Sequence, residues 1–424
     1  MPATKEPIAI IGLGYVGLPL ALAFVEAGQP VIGIDTDQEK VLQLRQGTTY
    51  LNHLGPERIL NALEHGLRPT YDYAAIAACH AVIICVPTPL NDQLQPDLQY
   101  IEDTTLAIAP HLSANTLVVL ESTTWPGTTR EVVQVLLEAN GYRRLGTDLF
   151  IAFSPEREDP GNATFTTTKI PKIIGGLDEA SLSRATELYQ HIFNEIVPVA
   201  STDIAEAAKI TENVFRAVNI ALVNELKIVF DAMDIDINQV IDAAATKPFG
   251  YMPFRPGPGL GGHCIPIDPF YLSWRARSFG VTSKFIELAG EINRAMPNYV
   301  INKVKEALRL QNIPLQSARV CVLGLAYKAN VDDLRESPSL VLLDTLNQMQ
   351  VDVSWCDPYF STIPPTRQFN HLTDIAPEEP SANHHVLILA TNHSSFDPQA
   401  LLALETLIID TRNHFPDHPR VIRA

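Results

Sequence analysis

Three glycines at positions 12, 14 and 17 follow the apolar run IAII and open a second apolar run, LPLALAFVE. A GxGxxG set placed between a strand and a helix allows a tight turn and lets a pyrophosphate approach the backbone, facing a helix N-terminus. Asp35 ends the next strand, 18 residues beyond Gly17, where a carboxylate accepts from the ribose hydroxyls of NAD. The three glycines alone are a weak signal. With strand, helix and acid in register, they predict a dinucleotide-binding βαβ unit rather than a structural glycine turn.

Further apolar runs end in polar or proline-rich loops: AVIICVPTP at 81–89, TLVVLEST at 116–123 and LFIAFSPE at 149–156. Buried parallel strands read this way, with function gathering at their C-terminal ends. Residues 1–200 are therefore expected to form an N-terminal, doubly wound α/β domain. From 201 the period becomes helical, in STDIAEAAKITENVFRAVNIALVNELKIVFDAMD, with Asp203 and Glu206 spaced as a capping pair. Glu206, Lys209, Asn213 and Arg216 share an arc of about 80° on that helix, a polar stripe that is either a solvated face or the lining of a site. More helix follows to about 312, and ARVCVLGLAYKANVDDLRESPSLVLLDTLNQMQVDVSWCDP begins a second strand, loop, helix, strand unit. The fold class is α/β: two Rossmann-like domains, 1–200 and 313–424, joined by a central helical region, 201–312. A length of 424 residues suits two or three such domains.

A formal net charge of −17 argues against a nucleic-acid protein, because phosphate binding needs a basic surface. The five cysteines form no CxxC pair and no disulfide-framework spacing, which fits a reducing, cytoplasmic setting. The N-terminus lacks a basic leader and a cleavage site, and no run of about 18 uncharged apolar residues marks a membrane span.

The stretch GPGLGGHCIPIDPFYL sets Cys264 beside His263 in a glycine and proline loop, with Asp268 four residues on. Cys264 can be read as a small buried hydrophobe, as a metal ligand or as a nucleophile. For zinc, His263 and Cys264 supply two adjacent ligands and nothing nearby completes four, so no metal is expected. In a dehydrogenase, a thiolate can add to the aldehyde formed by a first hydride transfer. The thiohemiacetal then loses a second hydride and leaves a thioester for water to hydrolyse. Lys209, Asn213 and Asp268 are available as oxyanion donors and proton carriers. ESTTWPGTT at 121–129 and FSPERED at 153–159 follow strands on the cofactor side, and Lys328 and Arg335 follow the first strand of the later α/β unit.

Together GLGYVGLPLA, VPTPL, ESTTWPGTT, SPEREDPGN, AKITENVFRAVNIALVNE, FRPGPGLGGHCIPIDPFYL and LGLAYKANVDDLRESPS resemble the UDP-glucose/GDP-mannose dehydrogenase family, in order and over almost the whole chain. The resemblance implies an N-terminal NAD domain, a C-terminal UDP-binding domain, and a long central helix through which two subunits pair. It implies a four-electron oxidation consuming two NAD per sugar. By motif, Cys264 is the nucleophile, Lys209 and Asn213 stabilise the oxyanion, Asp268 works with Lys209 and Thr123 on protons and water, and Glu156 supports the water or the substrate. The implied NAD contacts are Gly12, Gly14, Tyr15, Val16, Gly17, Asp35, Lys40, Thr88, Thr123 and Arg335. For the UDP-sugar they are Arg157, Lys209, Asn213, Arg255, Gly261 and Lys328. The family's UDP-glucose members carry phenylalanine and serine ahead of the cysteine, where this chain has Gly262 and His263. That departure supports a 2-acetamido sugar, and SPEREDPGN, AAATKPFG and GGHCIPIDPFYL look most like the family's bacterial members that oxidise UDP-N-acetyl-D-glucosamine for surface polysaccharide, with the mannosamine and galactosamine epimers and UDP-glucose as alternatives. The alternative of another class is a non-catalytic nucleotide-sugar or NAD sensor, against which the joint presence of Cys264, Lys209, Asn213 and Asp268 speaks.

Overall fold

The computed structural model describes residues 6–51, 54–91, 95–141, 144–157, 167–262, 264–366 and 368–424. His263 and residues 158–162 of the SPEREDPGN stretch lie outside them. The chain divides into two compact units, Met1–Glu212 with Phe270–Val281, and Asn213–Pro269 with Thr282–Ala424.

In the first unit eight strands form one sheet: β1 (Ile8–Ile11), β2 (Val31–Ile34), β3 (Leu67–Thr70), β4 (Ala81–Ile84), β5 (Thr116–Leu120), β6 (Leu149–Phe153), β7 (Lys172–Gly176) and β8 (Ile196–Val199). Their spatial order is β3-β2-β1-β4-β5-β6-β7-β8. The first six are parallel, in the order of the Rossmann fold. Strands β1, β4, β5 and β6 are buried at every residue, which is why they read as unbroken apolar runs instead of alternating ones. Between β1 and β4 the chain order reverses, and the loops after both strands open there. Strand β7, unforeseen from the sequence, runs antiparallel to β6, pairing Ala152 with Gly176 and Phe153 with Gly175.

The second unit carries a five-stranded parallel sheet of β9 (Arg319–Leu323), β10 (Asp352–Cys356), β11 (Val386–Leu389), β12 (Leu407–Asp410) and β13 (Val421–Arg423), in the order β10-β9-β11-β12-β13. This is the flavodoxin-like order, with its switch point between β9 and β11. A buried amide network steadies the loop leading to Cys264. Asn224 donates to Asn293 (2.9 Å), Asn293 donates to the Ala217 carbonyl (3.1 Å), and Asn224 Oδ1 accepts from the Gly257 amide (3.0 Å).

Helix Thr202–Asp231 starts differently from the expected capping pair. Ser201 Oγ accepts from the Ile204 amide at 3.3 Å, and Asp203 pairs with Arg130 at 3.1 Å. Glu206 is fully buried and turns away from its own helix. Its carboxylate accepts from the Gly127 amide (2.6 Å), the Thr129 amide (2.9 Å) and the Thr129 hydroxyl (2.7 Å). The helical segment Thr129–Gln134 starts there with unsatisfied N–H groups, which outcompete the helix's own amides for the carboxylate. The predicted polar stripe therefore breaks up: Glu206 and Lys209 are buried, Asn213 is half-buried and Arg216 is exposed.

Burial pushes the Glu206 carboxyl up to about 7, with the Thr129 and Gly127 donors opposing it. Because the folded value lies above the ordinary 4.5, its stabilising contribution is fully present below about pH 4.5 and is lost as pH rises through about 7. The span corresponds to a contribution on the order of 3 kcal/mol. Denaturant titrations of the wild type and E206Q across this pH range should show that slope in the wild type and its loss in the variant; parallel stability curves would refute it.

Candidate active site

At the carboxyl end of β1 the backbone itself forms the candidate cofactor cradle. A Cβ on Gly17 would lie 1.9 Å from the Gly12 carbonyl oxygen, and one on Gly12, whose φ is +88°, 2.6 Å from the Cys85 carbonyl oxygen. These two glycines serve close packing within the turn. Gly14 differs, because a Cβ there meets no atom within 4 Å, so its backbone is bare. Helix Gly17–Glu26 begins at Val16 with no side-chain cap and no acid in its first turn, so its leading amides suit an anionic ligand. These features fit the pyrophosphate of a dinucleotide.

Asp35 accepts from the Leu13 amide through Oδ2 and from the Asp37 amide through Oδ1, both at 2.9 Å, which locks the glycine turn against the end of β2. Each oxygen keeps a second lone pair for a ribose hydroxyl. Lys40 lies 3.9 Å from Asp37 and over the Tyr50 ring. Thr88 is buried and its carbonyl accepts the Tyr271 hydroxyl, while Thr123, just past β5, is half-buried.

A buried ionic cluster lies at the ends of β5, β6 and β7. The Lys172 ammonium donates to Glu121 at 3.0 Å and to Glu156 at 3.4 Å, and the Tyr189 hydroxyl donates to the other Glu121 oxygen. Burial pulls the Lys172 ammonium down, but the two carboxylates outweigh it and the net direction is up; burial likewise raises Glu121, with Lys172 opposing. Lys172, Glu121 and Tyr189 escaped the sequence reading, since one lysine ahead of an apolar run looks like a strand's solvated end. Arg157 grips Glu212 with a two-pronged contact (2.6 and 3.2 Å) and donates to the Pro171 carbonyl. Lys209 is 8% exposed, too buried for a solvated face.

In the second unit the cysteine loop meets the loop after β9. The Gly262 amide donates to the Arg335 carbonyl at 2.9 Å. A Cβ on Gly261 would come within 2.5 Å of Tyr327 Cβ, and one on Gly262 (φ +88°) within 2.9 Å of the Tyr327 ring. The glycines expected to give a ligand access to the backbone thus also serve close packing against Tyr327. Beyond them Cys264 is half-buried, and its carbonyl accepts from the amides of Ile267 (3.1 Å) and Asp268 (2.8 Å) at the start of helix Asp268–Ser278. Asp268 is 1% exposed and accepts from Asn213 Nδ2 at 2.6 Å. Cysteine, carboxylate and amide are therefore joined by one turn and one hydrogen bond.

Lys328 is half-buried in the loop after β9, which Asp357 anchors by accepting from the Leu325 and Ala326 amides. Arg335 pairs with Asp333 at 2.6 Å. Arg255 contacts Asp242 and shares a concavity with Lys227, Arg412 and Arg423 at the end of β12. Burial pulls Arg412 down to about 10, with Asp410 opposing. Arg412 was also missed; its signal is the TRN that follows an apolar strand, the same strand-end placement that singled out Lys328.

Among the described residues, no helix is long and apolar enough to cross a membrane, and no three His, Cys, Asp or Glu side chains cluster to hold a metal ion. The NAD binding domain of the UDP-glucose/GDP-mannose dehydrogenase family matches residues 6–193, the central domain 203–295 and the UDP binding domain 321–417. A UDP-N-acetyl-D-glucosamine 6-dehydrogenase from Pseudomonas aeruginosa is 35% identical over 92% of this chain and 91% of its own. An NDP-N-acetyl-D-galactosaminuronic acid dehydrogenase from Ralstonia nicotianae is 34% identical over 96% and 95%. The solved structure of a UDP-D-ManNAc dehydrogenase from Pyrococcus horikoshii superimposes with a TM-score of 0.86 at 32% identity, covering 98% of this chain and 99% of that one. The chain belongs to the UDP-glucose/GDP-mannose dehydrogenase family and is an NAD-dependent nucleotide-sugar dehydrogenase.

Proposed function

We propose that this chain oxidises UDP-N-acetyl-D-glucosamine at carbon six to UDP-N-acetyl-D-glucosaminuronate, for surface polysaccharide. The Asn213–Asp268 hydrogen bond, one turn from Cys264, is the observation that most supports covalent catalysis. Overall, one primary alcohol, one water and two NAD give one carboxylate, two NADH and three protons. When bound, NAD would supply the hydride acceptor for each of the two oxidations. The Cys264 thiolate adds to carbon six of the aldehyde, and Lys209 and Asn213 donate to the resulting oxyanion. Asp268, with Thr123, carries protons, and Glu156 supports the water that cleaves the thioester and frees the thiolate. Arg255 and Lys328 hold the UDP moiety, with Arg157 and Gly261 as further sugar-nucleotide contacts.

The mannosamine and galactosamine epimers stand as second readings, since relatives named for each match the chain at similar identity. We place the working domain boundaries near 200 and 312, and the protein in the cytoplasm. A homodimer is proposed from the second unit's share of helix Thr202–Asp231, where Phe215, Leu222 and Val229, seven residues apart, are each 45–50% exposed. Such a spacing draws one apolar stripe suited to a second helix.

Three measurements test this reading. With NAD, a panel of UDP-sugars should give two NADH per acid, fastest with UDP-N-acetyl-D-glucosamine, and C264S should stall before the free acid. One NADH with released aldehyde, or wild-type turnover by C264S, sinks the thioester route. G14A should raise the NAD KM more than tenfold while stability moves by less than about 0.5 kcal/mol, because a Cβ at that position meets no protein atom within 4 Å; an unchanged KM argues against the cradle. Sedimentation should show a dimer that L222E weakens, and a monomeric wild type excludes the pairing.

A further inference from the structure

The antiparallel strand β7 is the one break in an otherwise Rossmann-ordered sheet edge, and it changes which residues reach that edge. In a parallel neighbour of β6, the first residue would lie at the far end of the sheet. Because Ala152 faces Gly176 and Phe153 faces Gly175, the same register carried three residues on sets Lys172 opposite Glu156. The contact is made: Lys172 Nζ lies 3.4 Å from Glu156 Oε2.

The rest of the cluster holds the ammonium in place. Glu121 is fully buried, with one oxygen on Lys172 at 3.0 Å and the other on the Tyr189 hydroxyl. The Tyr189 and Phe193 rings stand 5.2 and 5.1 Å from the ammonium. The titratable groups facing Lys172 are Glu121, Glu156, Cys85 and Tyr189. Glu156 is the one carboxylate of the cluster with measurable exposure, 13% against 0% for Glu121, and its Oε1 accepts from the Arg157 amide at 2.7 Å. A single buried cation thus serves two carboxylates, one anchoring it from below and one presented outward. If Lys172 only neutralised Glu121, the 3.4 Å approach to the partly exposed Glu156 would add nothing.

We propose that Lys172 is a positioning residue for Glu156, fixing the orientation and negative charge of that carboxylate during turnover. The inference rests on the reading of Glu156 as the group that supports water or substrate. Its contribution is Coulombic and specific to charge: with the ammonium removed, Glu156 takes up a proton more readily, and its anionic form is lost at a higher pH.

The test is the pH profile of kcat for the full chain, with saturating NAD and the UDP-sugar that turns over fastest. In K172M the acid limb should move up by about one pH unit, a tenfold loss of kcat on that limb, with the NAD KM unchanged. K172R, which keeps the charge, should restore the limb toward its wild-type position. Since K172M leaves Glu121 buried without a cation, K172M/E121Q removes that orphan charge and should show the same shift if the single variant does not fold. A K172M or K172M/E121Q profile that superimposes on wild type, with E156Q inactive, overturns the positioning role alone. Wild-type kcat in E156Q overturns the role of Glu156 and the positioning role with it.

Discussion

Every parallel strand must return by a crossover, and that constraint collects the loops after the strands along one edge of each sheet. In the first unit, that edge gathers the glycine turn after β1, Thr88 after β4, Thr123 after β5 and Glu156 after β6. In the second it gathers Lys328 after β9, Asp357 after β10 and Arg412 after β12. Polar groups gather on these edges because strand ends leave polar backbone and side chains there while the strand interiors stay apolar. The antiparallel β7 breaks the rule once and thereby delivers Lys172 to the same edge.

Buried charge is the second theme. Glu206, Lys172 with Glu121, and Asp268 are all removed from solvent, and each is met by donors or an opposite charge at 2.6–3.0 Å. An isolated buried ion costs several kcal/mol, so such groups persist only where their partners are in place. The first turn of helix Thr202–Asp231 is tied by Glu206 to the loop after β5, one helical turn before Lys209. A group whose partner lies 79 residues away in sequence cannot be read from its own neighbourhood. Asp203 and Glu206 looked like a local capping pair because the spacing suits one; the amides of Gly127 and Thr129 took Glu206 instead.

Much of the architecture was legible in the chain. Strands β1, β4, β5 and β6 showed as continuous apolar runs because both faces of the sheet are covered, and the glycine turn showed because backbone crowding leaves no alternative to Gly12 and Gly17. The cysteine loop was legible as a motif, but the reason for its glycines was not. Tyr327 occupies the space their side chains would need, more than 60 residues further along. Lys172 and Tyr189 carried no local signature, since a lysine ahead of an apolar strand and a phenol at the end of a helix are ordinary, and Arg412 had only its place after an apolar strand.

Local order of residues alone determined the class of the protein: the GxGxxG turn with its acid, the cysteine loop, and the polar residues of the long helix are spacings within single elements. Tertiary structure decided how those residues are held. Only strand direction brings Lys172 to Glu156, and only loop packing brings the Gly262 amide to Arg335 and Asn213 to Asp268. The physical reason is one of range: backbone sterics and helical period act over a few residues and are written locally, whereas ion pairs and close packing act across space between segments far apart in the chain.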